Sequence, residues 1–164
     1  MDIGCGFGRQ AFKLAKEGFE VIGTDTNQDF INIAVDIFKK HSLKGTFFCG
    51  DLRDRFTDER FYQIILMEVL EHIPPFSRKK FVGTIRSYSQ NNSKLIISIP
   101  RIKATFKMFL LNSSKYFTYP FSTKGEHPYP IPSEKSIKKM IKGSFEITDT
   151  IIHEETIFFI CKSK

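Results

Sequence analysis

The sequence predicts an α/β fold, a mostly parallel sheet with helices on both of its faces. Three observations predict it. Short apolar runs alternate along the chain with longer stretches whose apolar residues recur at helical spacing. The chain opens on a glycine-rich bend, Asp2-Ile3-Gly4-Cys5-Gly6-Phe7-Gly8-Arg9, of the kind that turns a buried strand sharply into a helix. It finishes in two β-rich runs, 145–153 and 156–161, joined by Glu154-Glu155, which read as an antiparallel closing hairpin.

Glycine reaches backbone angles closed to other residues and has no side chain, so Gly4, Gly6 and Gly8 would let a ligand lie against the main chain. In an open α/β sheet such a loop stands at the carboxyl edge of the strands, where ligands bind. A nicotinamide dinucleotide fold wants a third glycine where this chain has Arg9, so that ligand fits poorly. Over 10–17, Ala11, Phe12, Leu14 and Ala15 form the inner face of a short helix stopped by Gly18. A brief strand over 19–23 then runs into Thr24-Asp25-Thr26-Asn27. Asp25 falls about twenty residues beyond the glycines, where nucleotide folds place the acid that holds ribose hydroxyls. The alternative is a turn or capping aspartate, although Asn27 can itself cap the next helix.

Residues 27–41 carry Phe30, Ile33, Ala34, Ile37 and Phe38 at helical spacing, a face expected to pack on the sheet. A strand over 46–49 leads to Gly50-Asp51-Leu52, where Asp51 is either a turn aspartate or a ligand-facing acid. The fourth strand, 61–67, opens into Glu68-Val69-Leu70-Glu71-His72-Ile73. If that stretch is helical, Glu68, Glu71 and His72 share one face, at i, i+3 and i+4. Two carboxylates and an imidazole so placed are plausible ligands of a divalent ion. His72 as a general base or a supporting hydrogen-bond partner is the other use. A helix over 76–89 presents Phe81, Ile85 and Tyr88 on one face, and Asn91-Asn92-Ser93 makes a turn. The unbroken apolar strand over 95–99 belongs at the centre of a sheet covered on both sides, and Pro100 ends it. Residues 101–132 break the alternation, mixing Phe106, Phe109, Tyr116, Phe117 and Tyr119 with lysines and four prolines. Ser133 caps a last helix over 134–142, stopped by Gly143.

Two motifs carry a resemblance. The run Asp-x-Gly-x-Gly-x-Gly over 2–8 resembles the first motif of the class I S-adenosylmethionine-dependent methyltransferases, and Glu-Val-Leu-Glu-His-Ile over 68–73 resembles the segment after strand four in their small-molecule members. The ubiquinone-biosynthesis O-methyltransferases have a similar Glu-x-x-Glu-His and are linked to a divalent metal there; the resemblance leaves metal use open. Tyr62 departs from the pattern, standing where members usually carry Asp before the strand. The resemblance covers nearly the whole chain as one domain, 1–164, and implies a Rossmann-like seven-stranded, mostly parallel sheet with an antiparallel last strand. It implies S-adenosylmethionine as cofactor, held by Asp2, by the loop of Gly4, Cys5, Gly6 and Phe7, by Asp25 and Thr26, by Asp51 and Leu52 at the adenine, and by the region of Met67. It further implies that 101–132 is a lid over the acceptor, with His72 and His127 as candidate bases. Met1 falls inside the first strand, so the reading expects either a start further upstream or a shortened central strand.

Composition agrees with one ordinary domain: 164 residues, 41% apolar and 26% charged, enough to bury a core. The balance of 25 Lys and Arg against 18 Asp and Glu gives +7, but the lysines are scattered and no basic-aromatic motif repeats. No stable nucleic-acid partner is therefore expected. The apolar, basic stretch 101–132 suits an aromatic or lipid-like small-molecule acceptor, or peripheral contact with a membrane surface. Cys5, Cys49 and Cys161 lack a Cys-x-x-Cys spacing, and no charged-then-apolar leader precedes the bend, which together point to the cytoplasm. Beside the enzyme stand two other readings, a non-catalytic S-adenosylmethionine-binding module and an RNA ribose methyltransferase using Glu68, Glu71 and His72.

Overall fold

The computed structural model describes residues 1–54, 57–101 and 129–164, and these form a seven-stranded sheet flanked by helices. In chain order the elements are β1 (Asp2–Ile3), α1 (Arg9–Lys16), β2 (Val21–Asp25), α2 (Gln28–Lys40), β3 (Gly45–Cys49), β4 (Phe61–Met67), α3 (Arg78–Ser87), β5 (Ser89–Pro100), α4 (Glu134–Ile141), β6 (Phe145–His153) and β7 (Thr156–Ser163). The strands lie in the order β3-β2-β1-β4-β5-β7-β6. The first five run parallel to one another, and β7 is antiparallel to both β5 and β6. The chain thus steps outward from β1 in one direction, then returns and steps outward from β4 in the other. That reversal opens a crevice at the carboxyl ends of β1 and β4, which is where open α/β sheets place ligands.

Packing follows the alternation of side chains along the strands. Ile64, Leu66, Leu95, Ile97, Ile99 and Phe159 point to one face and are buried under Phe81 and Ile85 of α3 and Ile137 and Ile141 of α4. Each such side chain is worth about 1.5–3 kcal/mol of burial. On the other face Ala11 of α1, Val21 of β2 and Phe38 of α2 make a smaller cluster. Asn27 caps α2, its side chain accepting from the N–H groups of Asp29 and Phe30, and Ser133 caps α4 by accepting from Ser136. No helix among the described residues is long and apolar enough to cross a membrane.

Three local expectations differ from what is observed. The segment after β4 is not a helix: Glu68 takes φ 54°, in the left-handed region, and only Leu70–His72 turn, as a single tight 3-10 turn. The stretch Asn91-Asn92-Ser93 does not end an element but lies inside β5, kinked where Asn92 takes φ 61°. On α2 the buried residues are Ile31, Ala34 and Phe38, while Phe30 and Ile33 are exposed, because the helix covers the sheet with a narrower stripe than the apolar pattern offers. Residues 102–128, which hold most of the expected lid and His127, lie outside the described residues.

Candidate functional site

Main-chain hydrogen bonds tie the strand tips together before any side chain acts. The N–H groups of Gly4 and Cys5 both donate to the carbonyl of Thr24, at 2.8 and 3.0 Å, and the N–H of Gly50 donates to the carbonyl of Asp25 at 2.9 Å. These bonds hold the first loop against the end of β2 and the end of β3 against the same strand. Asp25 then closes the arrangement: Gly6 N–H donates to its Oδ2 and Asn27 N–H to its Oδ1, each at 2.9 Å.

The result is a cavity of about 600 Å³ whose walls include Gly4, Gly6, Asp25, Asp51, Glu68 and His72. Thr26, Leu52 and Phe30 line it as well. That volume lies within the range of small-molecule sites. Two smaller hollows elsewhere, beside α3 and on the α1 face, enclose no such convergence of acids and glycines. Phe30 was read as core in the sequence. It occupies the first turn of α2, at the end of the helix facing the carboxyl edge, and its position next to the capping Asn27 was the available signal.

The glycines fit an open cradle. A Cβ built on Gly4 would stand 2.4 Å from Val69 Cγ2, so only glycine lets Val69 approach the loop. A Cβ on Gly6 would meet no protein atom within 4 Å. It would instead occupy the space of the cavity that Gly6 lines.

The remaining expected residues fall in different places. Asp2 is buried, 2% exposed, with no partner for Oδ2 among the described residues, and burial pushes its carboxyl up to about 6. Its carboxyl accepts a hydrogen bond from the main chain of Ala11 in α1, and it does not line the cavity. Cys5 is buried too, its Sγ turned to the carbonyl of Gly6 at 3.5 Å, and burial pushes the thiol up to about 12. Phe7 stands outside the cavity and meets Phe30 edge to face at 6.2 Å between ring centres. Met67 is not a cavity residue: it lies on the α1 face with Gln10, Lys13 and Ile96, since Leu66 before it takes the α3 face and strand side chains alternate.

The turn after β4 separates the three residues that a helix would have put on one face. Glu68 and His72 line the cavity, whereas Glu71 is 0% exposed and neither of its carboxylate oxygens has a hydrogen-bond partner in another of the described residues. Burial pushes Glu71 up to about 7, with the charge of Glu68 adding to the shift and that of Arg78 opposing it. No group of three or more His, Cys, Asp or Glu among the described residues is arranged to hold a metal. With Glu71 buried while Glu68 and His72 line the cavity, the three side chains do not share one face as helical spacing would have them. Glu68 keeps its left-handed backbone because its N–H is held by Ser98, donating to the carbonyl at 3.3 Å and to Oγ at 3.1 Å. Arg78, also buried, spans from the carbonyl of Ile73 at 2.9 Å to that of Pro130 at 2.6 Å, joining the turn to the returning chain.

Solved structures share this architecture. A SAM-dependent methyltransferase from Methanosarcina mazei superposes with a TM-score of 0.81 over 99% of this chain and 90% of its own, at 19% identity. The magnesium protoporphyrin IX methyltransferase of Synechocystis PCC 6803, solved with bound SAH, does so with a TM-score of 0.75 over 99% of this chain and 73% of its own, at 20% identity. The fold is thus the Rossmann-like one found in methyltransferases. The family model described as "Methyltransferase domain" matches residues 1–91, more than half of the sequence, and the chain belongs to that family. Among curated relatives, the ubiquinone biosynthesis O-methyltransferase of Coxiella burnetii is 29% identical over 131 residues, which is 79% of this chain and 54% of that protein. The chain spans about half the length of the curated relatives it matches.

Proposed function

We propose that the chain binds S-adenosylmethionine in the cavity described above and transfers its methyl group to a hydroxyl of a small-molecule acceptor. One observation carries the reading: Asp25 and Asp51, at the tips of neighbouring strands, line a single cavity with Gly4 and Gly6. A carboxylate offers about four lone-pair positions, and on Asp25 the Gly6 and Asn27 amides take one on each oxygen. One remains on each, the pattern that suits the two adjacent hydroxyls of a ribose. Asp51, beyond the next strand, is assigned to accept from an adenine amino group and Leu52 to pack on the ring, a reading supported by their lining the same cavity. The amino acid end of the cofactor is assigned to the glycine loop that follows the buried Asp2.

When bound, S-adenosylmethionine supplies a methyl group already activated on a sulfonium. The protein's task is to align the acceptor and keep water out, which can contribute several powers of ten without a strong catalytic group. A hydroxyl acceptor has a proton to lose, and His72, at the cavity wall beside Glu68, is assigned to take it. His127 is held as a second candidate on sequence grounds alone. Neither Met67 nor Phe7 is given a ligand contact. An aromatic or lipid-like acceptor is supported by the aromatic content of 102–128 and by the similarity to the ubiquinone biosynthesis O-methyltransferase of Coxiella burnetii. Contact with a membrane surface and a cytoplasmic location belong to the same reading.

Calorimetry of the chain with S-adenosylhomocysteine and with NAD, followed by transfer of labelled methyl to catechol-type acceptors, tests the proposal. The expected result is binding of the first ligand and not the second, with Asp25→Ala weakening it by about 30-fold or more through loss of charged hydrogen bonds. Binding of NAD in preference would replace the reading by a dinucleotide one. Binding of S-adenosylhomocysteine with no transfer to any acceptor would leave a binding module.

A further inference from the structure

We propose that Arg53 sets the base specificity of the cavity, by clamping Asp51 so that one lone pair of its carboxylate is left for a donor N–H on the ligand. The inference rests on the adenosyl reading above and adds a residue that the sequence motifs do not mark. Asp51 Oδ1 accepts from the backbone N–H of Arg53 at 2.9 Å and from its Nε at 2.6 Å, and Oδ2 accepts from Nη2 at 2.6 Å. Of about four lone-pair positions on a carboxylate, three are filled, and the fourth lies on Oδ2. The peptide that carries the carboxylate is held as well, since Asp51 N–H donates to Asp54 Oδ2 at 2.9 Å and Asp54 N–H returns to the Asp51 carbonyl at 2.9 Å. Both Asp51 and Arg53 line the cavity.

A carboxylate fixed in this way reads one feature of a base. A 6-amino purine turns an N–H toward the remaining lone pair, whereas a 6-oxo purine turns a carbonyl oxygen toward it and leaves two acceptors facing each other. Without the fork, the carboxylate is free to turn about its terminal torsion and accept from the ring N–H that a 6-oxo purine carries instead. The guanidinium hydrogen bonds also hold the Asp51 carboxyl below its ordinary range, so the acceptor stays ionised. Arg53 is therefore a positioning residue, acting on the ligand through Asp51. A lysine cannot replace it in full, because a single ammonium makes no planar two-point contact.

The test is calorimetry of the full chain, as wild type, Arg53→Lys and Arg53→Ala, with S-adenosylhomocysteine and with its 6-oxo counterpart S-inosylhomocysteine. Thermal unfolding of each protein without ligand is the folding control. Arg53 is exposed, at 52%, and Asp51 half-buried, at 32%, so the ion pair adds little to stability and the unfolding temperature is expected to stay near wild type. The wild type is expected to prefer the amino ligand by about 100-fold, and Arg53→Ala to lose about tenfold or more of that ratio, with Arg53→Lys between them. An unchanged ratio in Arg53→Ala, with the amino ligand still bound, would overturn the role of Arg53 and leave the adenosyl reading standing. Tighter binding of the amino ligand to Arg53→Ala would also overturn it, showing that the fork blocks the subsite. Failure of the wild type to bind either ligand would remove the adenosyl reading itself, and the inference with it.

Discussion

A methyl group added at Gly4 would meet Val69 at 2.4 Å on a backbone at φ 68°, while one added at Gly6, at φ 52°, would meet nothing. The two substitutions should therefore separate stability from binding. Gly4→Ala combines overpacking with left-handed strain and is expected to cost about 2–4 kcal/mol, read from urea denaturation. Its partial recovery in a double variant with Val69→Ala would identify the clash as the cause. Gly6→Ala should cost only about 1 kcal/mol of stability. It should weaken S-adenosylhomocysteine by a further ~1–3 kcal/mol, since its methyl fills ligand space. Equal effects of the two on binding would mean that Gly6 does not face the ligand. The glycines and acids were legible in the sequence because their need is local: a bend that must be open, and an acid just past a strand end. The Arg53 fork and the Ser98 bond to Glu68 were not, because each depends on where a second side chain points rather than on spacing.

At the scale of the element, the turn after β4 carries the largest departure from the expected structure. The motif Glu-Val-Leu-Glu-His-Ile has helical spacing, yet Glu68 leaves the strand in a left-handed conformation, and Glu71 is buried in the core while Glu68 and His72 line the cavity. Local pattern could not reveal this, since the bond from Glu68 to Ser98 spans from β4 to β5. The boundaries of β4 itself, α1 and α2 were legible to within a few residues, as strong periodicity and an Asn cap allow. A pH dependence follows from the buried carboxyl. The folded-state value of Glu71 is raised from 4.5 to about 7, so the folded protein holds a proton that the unfolded chain has released. The stability due to this group is fully present below pH 4.5 and falls as pH rises through 7, with a slope on the order of 1 kcal/mol per pH unit. Subtracting the Glu71→Gln stability curve from that of the wild type isolates it. A difference that is flat between pH 5 and 7 would show that Glu71 ionises in the folded chain as it does in water.

On the scale of the whole molecule, lysines among the described residues end helices on both faces of the sheet. Lys13 and Lys16 end α1, Lys39 and Lys40 end α2, and Lys138 and Lys139 end α4, each in a last turn where a cation favours the helix. Cations so placed favour their own helices. The chain is therefore expected to bind RNA only weakly at low salt and to lose that binding by about 0.15 M, in an electrophoretic or anisotropy titration. Salt-resistant binding would revive an RNA acceptor. The sheet order was legible as a class, since strands and helices alternate and the chain closes in a hairpin. The register was not, because pairing between distant strands leaves no trace in local spacing.

The bond from the Gly6 amide to Asp25 has one last consequence. It couples the bend to the acid, so a change at one is felt at the other. A guest that engages the acid must therefore change the magnetic environment of that one peptide proton. A nitrogen-15 spectrum would register the guest's arrival at the Gly6 signal, with no dye, no tag and no turnover.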